Sequence, residues 1–228
     1  SISDLLLTPD LLSSNNLKNE GVPKEKIHFV GNIMIDTLEA NRDKSSKLDV
    51  SQIISDNLFD KLQSKPKSIS KLSVVTIHRP SNVDNKEILQ RIVDFLLDDV
   101  CSNELLIWPI HPRTKKQLQR FELWGKVLSN KNLVLLQPLN YHEMLKLNMV
   151  ASVMLTDSGG LQEECCVLGT PCVTLRNNTE RPVTLRENGG ASVLVGSSVA
   201  EMRKEYKYAS KSIRKPKRPE LWDGHTAK

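Results

Sequence analysis

Residues 150–190 read VASVMLTDSGGLQEECCVLGTPCVTLRNNTERPVTLRENGG, and the fold is decided in this stretch. A short apolar, β-branched run over 152–156 stops at Asp157-Ser158-Gly159-Gly160. Residues 161–168 then read as a helix ended by Gly169-Thr170-Pro171. The strand signal returns over 172–175, and Asn177-Asn178-Thr179-Glu180-Arg181-Pro182 leads into another helix start. Strand, glycine turn, helix, strand and loop in this order are the alternation of a parallel sheet.

A helix start exposes unpaired N–H groups and a partial positive charge of about half an electron, and two glycines let a ligand approach the backbone closely. Asp157-Ser158-Gly159-Gly160 therefore reads either as a capped turn or as a seat for phosphate. In a parallel sheet both loops open at the carboxyl edge. Arg181 is then expected to face the same crevice as Gly159 and Gly160, so that a guanidinium and a helix terminus share one anion, which favours the seat.

Outward from this block the alternation continues. Strands are expected over 26–30, 71–77, 104–110, 133–136 and 192–195. Helices are expected over 9–20, from Gly31-Asn32 through 38, near 53–62, over 114–123, from 141 to 150 and over 199–210. A further helix starts at Asp84, where Glu87 three residues on makes a capping box and Ile88, Ile92, Phe95 and Leu96 form an apolar stripe. The fold class is α/β, a three-layer Rossmann-like domain with a mainly parallel sheet.

The chain has 228 residues, 39% hydrophobic and 26% charged, which suits one ordinary globular domain with a core large enough to be stable. No apolar run approaches membrane length and no signal peptide is recognisable. The chain begins as if in mid-fold and reads as part of something longer. Cys101, Cys165, Cys166 and Cys172 lack the paired spacing of a zinc site, and the adjacent pair cannot bridge each other. Buried free thiols in a reducing, cytoplasmic compartment are the expectation, with no metal and no cofactor. The net charge of +5 suits an anionic ligand. Much of the excess lies in 204–218, KEYKYASKSIRKPKR, read as a solvated face in preference to a nucleic-acid surface. Aromatic content of 4% leaves little for stacking bases, so neither nucleic acid nor membrane is an expected partner.

Two further loops follow strands. His78-Arg79-Pro80-Ser81-Asn82-Val83-Asp84 lies at the carboxyl end of one, where α/β domains place their sites. His111-Pro112 ends another, and there a rigid turn made by Pro112 and a functional His111 are both open readings. Met144 reads either as helix core or as a side chain packed on a flat base.

The segments TDSGGLQEE at 156–164 and RNNTERP at 176–182 resemble the non-hydrolysing UDP-N-acetylglucosamine 2-epimerases, which have the two-domain glycosyltransferase-B architecture. GNIMIDTL from Gly31 resembles that family's crossover between domains, HRPSN its THRxxN loop, and PLNYHEM its PLxYxxF segment. This chain departs from the common pattern at Ser81, where a glutamate is usual, and at Met144, where an aromatic covers the uracil. The resemblance implies that Ser158, Gly159 and Gly160 hold the UDP phosphates, Glu164 takes the ribose hydroxyls and Arg181 lies at the diphosphate. It implies His78 at the active site, Arg79 near a phosphate or sugar, and His111 facing the same crevice.

By the same resemblance the chain is the carboxyl-terminal half of the fold, without an amino-terminal Rossmann-like domain. Residues 1–42 are the crossover, 43–218 the nucleotide-sugar-binding domain, and 219–228 the start of a truncated crossover helix. The implied reaction interconverts UDP-N-acetylglucosamine and UDP-N-acetylmannosamine by elimination and re-addition of UDP. Partners would be UDP, UDP-N-acetylglucosamine, the missing domain and a second copy in a homodimer. The groups that move the C2 proton are expected mostly in the missing half, so this chain is expected to bind UDP without epimerising. Two alternatives stay open: a glycosyltransferase half of the same architecture, or a non-catalytic nucleotide-sugar-binding module, which Ser81 and Met144 favour.

Overall fold

The structure is a computed structural model that describes residues 3–60 and 69–228. The chain opens with β1 (Leu6–Thr8), α1 (Leu11–Asn19), β2 (Ile27–Phe29), α2 (Ile33–Ser46) and α3 (Val50–Asn57). It continues through β3 (Leu72–Thr76), α4 (Pro80–Val83), α5 (Lys86–Phe95), β4 (Leu105–Pro109), α6 (Pro112–Arg120) and α7 (Trp124–Leu128). It then forms β5 (Leu133–Leu136), α8 (Tyr141–Val150), β6 (Met154–Thr156), α9 (Gly159–Leu168), β7 (Cys172–Thr174), β8 (Ser192–Leu194) and α10 (Val199–Ala209).

Six strands form one sheet in the order β5-β4-β3-β6-β7-β8, and all five pairings are parallel. The order reverses direction between β3 and β6. Outside the carboxyl ends of these two strands lies the crevice that doubly wound sheets use for ligands. Successive side chains on each strand alternate between two apolar layers, as the period of two requires. Val75, Leu106, Trp108, Leu135, Leu155 and Val173 pack toward α5, α6, α7 and α10. Val74, Ile107, Val134, Met154 and Cys172 pack toward α3, α8 and α9. Beyond that second layer α2 lies on α8 and α9 through Ile35, Leu38, Leu145 and Val167.

The helices begin where side chains satisfy their orphan amides. Asn140 accepts from the Glu143 amide at 3.0 Å while Glu143 accepts from the Asn140 amide at 3.1 Å, a reciprocal cap. The capping box expected from Asp84 and Glu87 does not form. Asn85 caps α5 through the Ile88 amide, and Asp84 ends α4 and takes Arg113 and Gln117 of α6 instead. The lone turn of α4 explains the shift, because it moves the start of α5 one residue on.

The helix expected near 53–62 is α3, ending at Asn57, and residues 61 and 62 lie outside the described residues. The helix expected to end at 38 continues to Ser46, so the boundary expected at 42 falls inside it. The helix start expected after Asn177 is only a single tight turn, Pro182–Thr184.

Residues 211–228 contain no helix, in contrast to the crossover helix expected from 219. The segment is tied down along its length. Arg214 reaches the Ala151 carbonyl at 2.7 Å and the Leu168 carbonyl at 3.3 Å, closing the carboxyl ends of α8 and α9. Trp222 is 1% exposed and donates its indole N–H to the Pro9 carbonyl at 2.8 Å. The amides of Thr226 and Ala227 bond the Asp36 carboxylate. The end of the described chain is thereby packed against its beginning. Replacing Trp222 by Ala removes a large buried ring, and the expected loss is roughly 3–5 kcal/mol of unfolding free energy in a denaturant titration. A loss below about 1 kcal/mol would show that this docking is not part of the folded core.

Candidate functional site

Asp157 follows β6 with its side chain fully buried. A buried carboxylate is costly unless donors surround it, and here the loop after β3 supplies them. The amides of His78 and Arg79 donate to Oδ2 at 3.0 and 2.9 Å, and Asn82 Nδ2 donates to the same oxygen at 2.9 Å. His78 Nδ1 lies 3.0 Å from Oδ1. Arg79 Nε donates to the Asp157 carbonyl at 2.8 Å, and Asn82 also donates to the Leu175 carbonyl at 2.9 Å. The register Thr76↔Thr156 makes this possible, since it sets the two loops side by side at the point where strand order reverses.

This bonding fixes the chemistry of His78. Its Nδ1 is committed to Asp157, which leaves Nε2 facing outward on a ring that is 42% exposed. The bond to Asp157 raises the imidazole above its ordinary 6.5, against burial, which lowers it. Burial pushes Asp157 up, but His78 and the surrounding donors outweigh it and hold the carboxyl below 3.8. His111 stands beside this pair, its ring centroid 5.4 Å from that of His78. It caps α6, accepting from the Arg113 amide through Nδ1 at 3.1 Å. Burial and the positive charge of His78 both lower its pKa. The structural reading of His111 thus has a bond behind it, and the ring also lines the crevice. Met144 likewise serves both readings, packing partly on the core while lining one pocket with Thr76, His78, His111, Pro138 and Leu139.

Ser158 is the N-cap residue of α9, and Gly159 and Gly160 are its first two positions rather than a turn ahead of it. The Ser158 amide donates to Thr156 Oγ1 at 3.0 Å, so of the three backbone donors expected at the seat this one is taken inside the chain. Among the described residues no bond takes the amides of Gly159 and Gly160. Around this helix head stand three guanidinium groups. Arg181 approaches with its Cγ 3.8 Å from where a Gly159 Cβ would lie, but its Nε sits 2.6 Å from Glu163 Oε1 with the N–H not aimed at it. Arg79 and Arg176 reach the same region through Glu180, at 3.2 and 2.6 Å. Asp157, Glu163, Arg176 and Glu180 have no role legible in the sequence beyond their places in two motifs.

Glu164 faces the other way along α9, toward α8. It is 7% exposed and accepts from Asn148 Nδ2 at 3.3 Å. Burial pushes its carboxyl up to about 7, with Asn148 opposing. Near neutrality it is therefore present in both forms, so it is not the purely accepting group that its residue type suggests. Asp157, Glu163 and Glu180 all lie near the helix head, and each is committed to a cation. The four cysteines are buried and unpaired. No helix among the described residues is long and apolar enough to cross a membrane.

A family model described as UDP-N-acetylglucosamine 2-epimerase matches residues 1–228. The UDP-N-acetylglucosamine 2-epimerase of Methanocaldococcus jannaschii is 39% identical over 210 residues, covering 89% of this chain and 53% of the relative. The UDP-2,3-diacetamido-2,3-dideoxy-D-glucuronate 2-epimerase of Pseudomonas aeruginosa is 31% identical over 204 residues, covering 86% of this chain and 50% of that protein. A crystal structure of the M. jannaschii UDP-GlcNAc 2-epimerase in complex with UDP-GlcNAc and UDP superposes with a TM-score of 0.85 at 36% identity, over 99% of this chain and 60% of that one. The chain spans about half the length of the curated relatives it matches.

The raised His78 and lowered Asp157 set a pH window. The His78 contribution to stability is complete below 6.5 and is lost as pH rises through its folded value. The Asp157 contribution is complete above 3.8 and is lost as pH falls through its folded value. Asp157→Asn removes the charge that raises His78, so its imidazole resonances in a proton NMR titration are expected to move to a lower midpoint. An unchanged midpoint would show that Asp157 does not control the proton on His78.

Proposed function

The chain belongs to the UDP-N-acetylglucosamine 2-epimerase family, and on that premise we propose that it is the carboxyl-terminal, UDP-binding half of such an epimerase. The observation that carries this reading is the helix head. Two glycine amides without an acceptor among the described residues stand at the switch point of a parallel sheet, beside the His78 and Arg79 that Asp157 holds there.

In this reading residues 43–218 form the nucleotide-sugar domain. The diphosphate lies on the Gly159 and Gly160 amides and the Ser158 hydroxyl, with Arg79 and Arg181 beside it. The uracil sits in the pocket of Met144 and Leu139, and Glu164 faces the ribose. Elimination of UDP from UDP-N-acetylglucosamine builds negative charge on the departing diphosphate. Groups fixed before the reaction and aimed at that charge stabilise the transition state more than the ground state. His78, whose protonated form Asp157 favours, presents Nε2 where it can meet a phosphate oxygen. One donor of this kind is typically worth about 3 kcal/mol of barrier.

Moving the C2 proton needs a base free to accept it. The two buried carboxylates at the helix head, Asp157 and Glu163, are paired with cations, and in this reading this half binds the nucleotide and stabilises its departure while the proton transfer falls to the other half of the fold. Calorimetry with UDP tests the site. Because Arg181 also neutralises buried Glu163, the variant Arg181→Ala is made in a Glu163→Gln background. A charge-assisted contact of ~1.5–3 kcal/mol predicts UDP binding roughly ten- to hundredfold weaker than in Glu163→Gln alone. Equal affinity in both would remove Arg181 from the diphosphate. The 228-residue chain supplied with UDP-N-acetylglucosamine is expected to yield no UDP-N-acetylmannosamine by proton NMR. Turnover by this chain alone would contradict the division of labour between halves.

A further inference from the structure

The head of α9 carries an anion from the chain itself. Glu180 Oε1 lies 3.2 Å from Arg79 Nη2, and its Oε2 lies 2.6 Å from Arg176 Nη2. A Cβ added to Gly159 would come within 2.7 Å of that same Oε1, so the carboxylate rests directly against the first turn of the helix. The Arg176 side chain is only 9% exposed, and its Nη1 has no partner. A nine-tenths buried guanidinium with a spare donor, a second guanidinium and a helix terminus would together be an uncompensated cluster of positive charge. Glu180 compensates it.

We propose that Glu180 is a displaceable counter-ion, whose carboxylate holds the place at the head of α9 that the diphosphate of the nucleotide takes, so that binding exchanges one anion for another. The inference rests on the nucleotide-binding reading above and adds a residue that sets its affinity. Glu180 is able to move. Its side chain is 45% exposed, and it lies in the loop between β7 and the turn Pro182–Thr184, outside any regular element. When it swings out, Arg79 and Arg176 are freed together, and both have the forked geometry that suits phosphate oxygens.

The exchange also lowers affinity. A carboxylate carries one negative charge and is covalently held near the seat, so an incoming anion must out-compete it at high local concentration. A diphosphate brings more charge and more acceptor oxygens than a monophosphate, and so gains more from the two arginines. The two arginines therefore favour UDP over UMP. Glu180 adds one displacement cost common to every anion that takes its place, which lowers affinity without changing that preference.

The test is calorimetry of the 228-residue chain and its Glu180→Gln variant with UDP, UMP and inorganic diphosphate. Gln keeps the size of Glu and removes the charge at an exposed position, and a denaturation curve of the variant, recorded alongside, checks that it folds. Glu180→Asp, which keeps the charge but falls one methylene short of the guanidinium groups, is a second variant. The expected result is that Glu180→Gln binds UDP and inorganic diphosphate roughly tenfold tighter, the screened worth of one nearby like charge. The preference for UDP over UMP stays the same, because both ligands displace the same carboxylate, and the affinity of Glu180→Asp falls between. Unchanged or weaker binding by Glu180→Gln, with the parent chain still binding UDP, overturns the counter-ion role and leaves the nucleotide reading standing. If neither protein binds UDP or diphosphate, both fall together.

Discussion

A carboxylate withdrawn from water must be surrounded by donors or it unfolds the protein around it, and the side chain of Asp157 is withdrawn completely. Its donors come from a loop 75 to 79 residues earlier in the chain, at His78, Arg79 and Asn82. Those residues follow β3, and Asp157 follows β6. Only when the two strands lie side by side in parallel register can the carboxylate be satisfied. The same bonds set the orientation of His78 and the backbone of Arg79 at the one place in the sheet where the strand order reverses. Folding and site assembly thus answer to one requirement.

Downstream of that carboxylate the chain turns straight into α9. The helix is anchored by burial along nearly its whole length and stopped by Gly169 in the left-handed conformation, at φ 73°. Gly169 has no room for a side chain, since a Cβ there would lie 2.3 Å from the Pro216 backbone nitrogen. A rigid helix aims its first amides at a fixed point. The charges around that point are arranged in pairs, Glu163 with Arg181 and Glu180 with Arg79 and Arg176. The pairs keep several guanidinium groups close together without their mutual repulsion, in a place where a polyanion benefits from all of them.

Much of this was legible before any coordinates. Apolar runs bounded by glycine and proline located all six strands of the large sheet to within a residue or two, because strands buried on both faces leave no other signature. The 133–136 strand matched in both bounds. Boundaries failed where local signals compete. Asp84 and Asn85 are both good caps, and the choice between them depended on the turn of α4, which packs against α5 and α6. Gly159 and Gly160 read as a turn because glycine is a poor helix former, yet at the first two helical positions that cost is small and close approach of an anion is gained. The tail from 219 is interrupted by Pro219 and Gly224, and its contacts with Pro9 and Asp36 hold its path.

The site divided in the same way. Residues within the two motifs pointed to the helix head, but which charge meets which is a matter of three-dimensional pairing that no spacing encodes. Arg181 was expected on the anion and is found against Glu163. Arg176 and Glu180 drew no attention because an arginine and a glutamate four apart in a loop carry no periodic signal. Asp157 was read as a turn former, and its role emerges only once strand order places His78 beside it. The central claim is that Asp157 fixes the switch point so that the amides of Gly159 and Gly160 remain available to a diphosphate. Amide NMR during a UDP titration tests it most directly. The account predicts saturable shifts of the Gly159 and Gly160 resonances together with those of His78 and Arg79. UDP shifting resonances elsewhere while these stay still would contradict it.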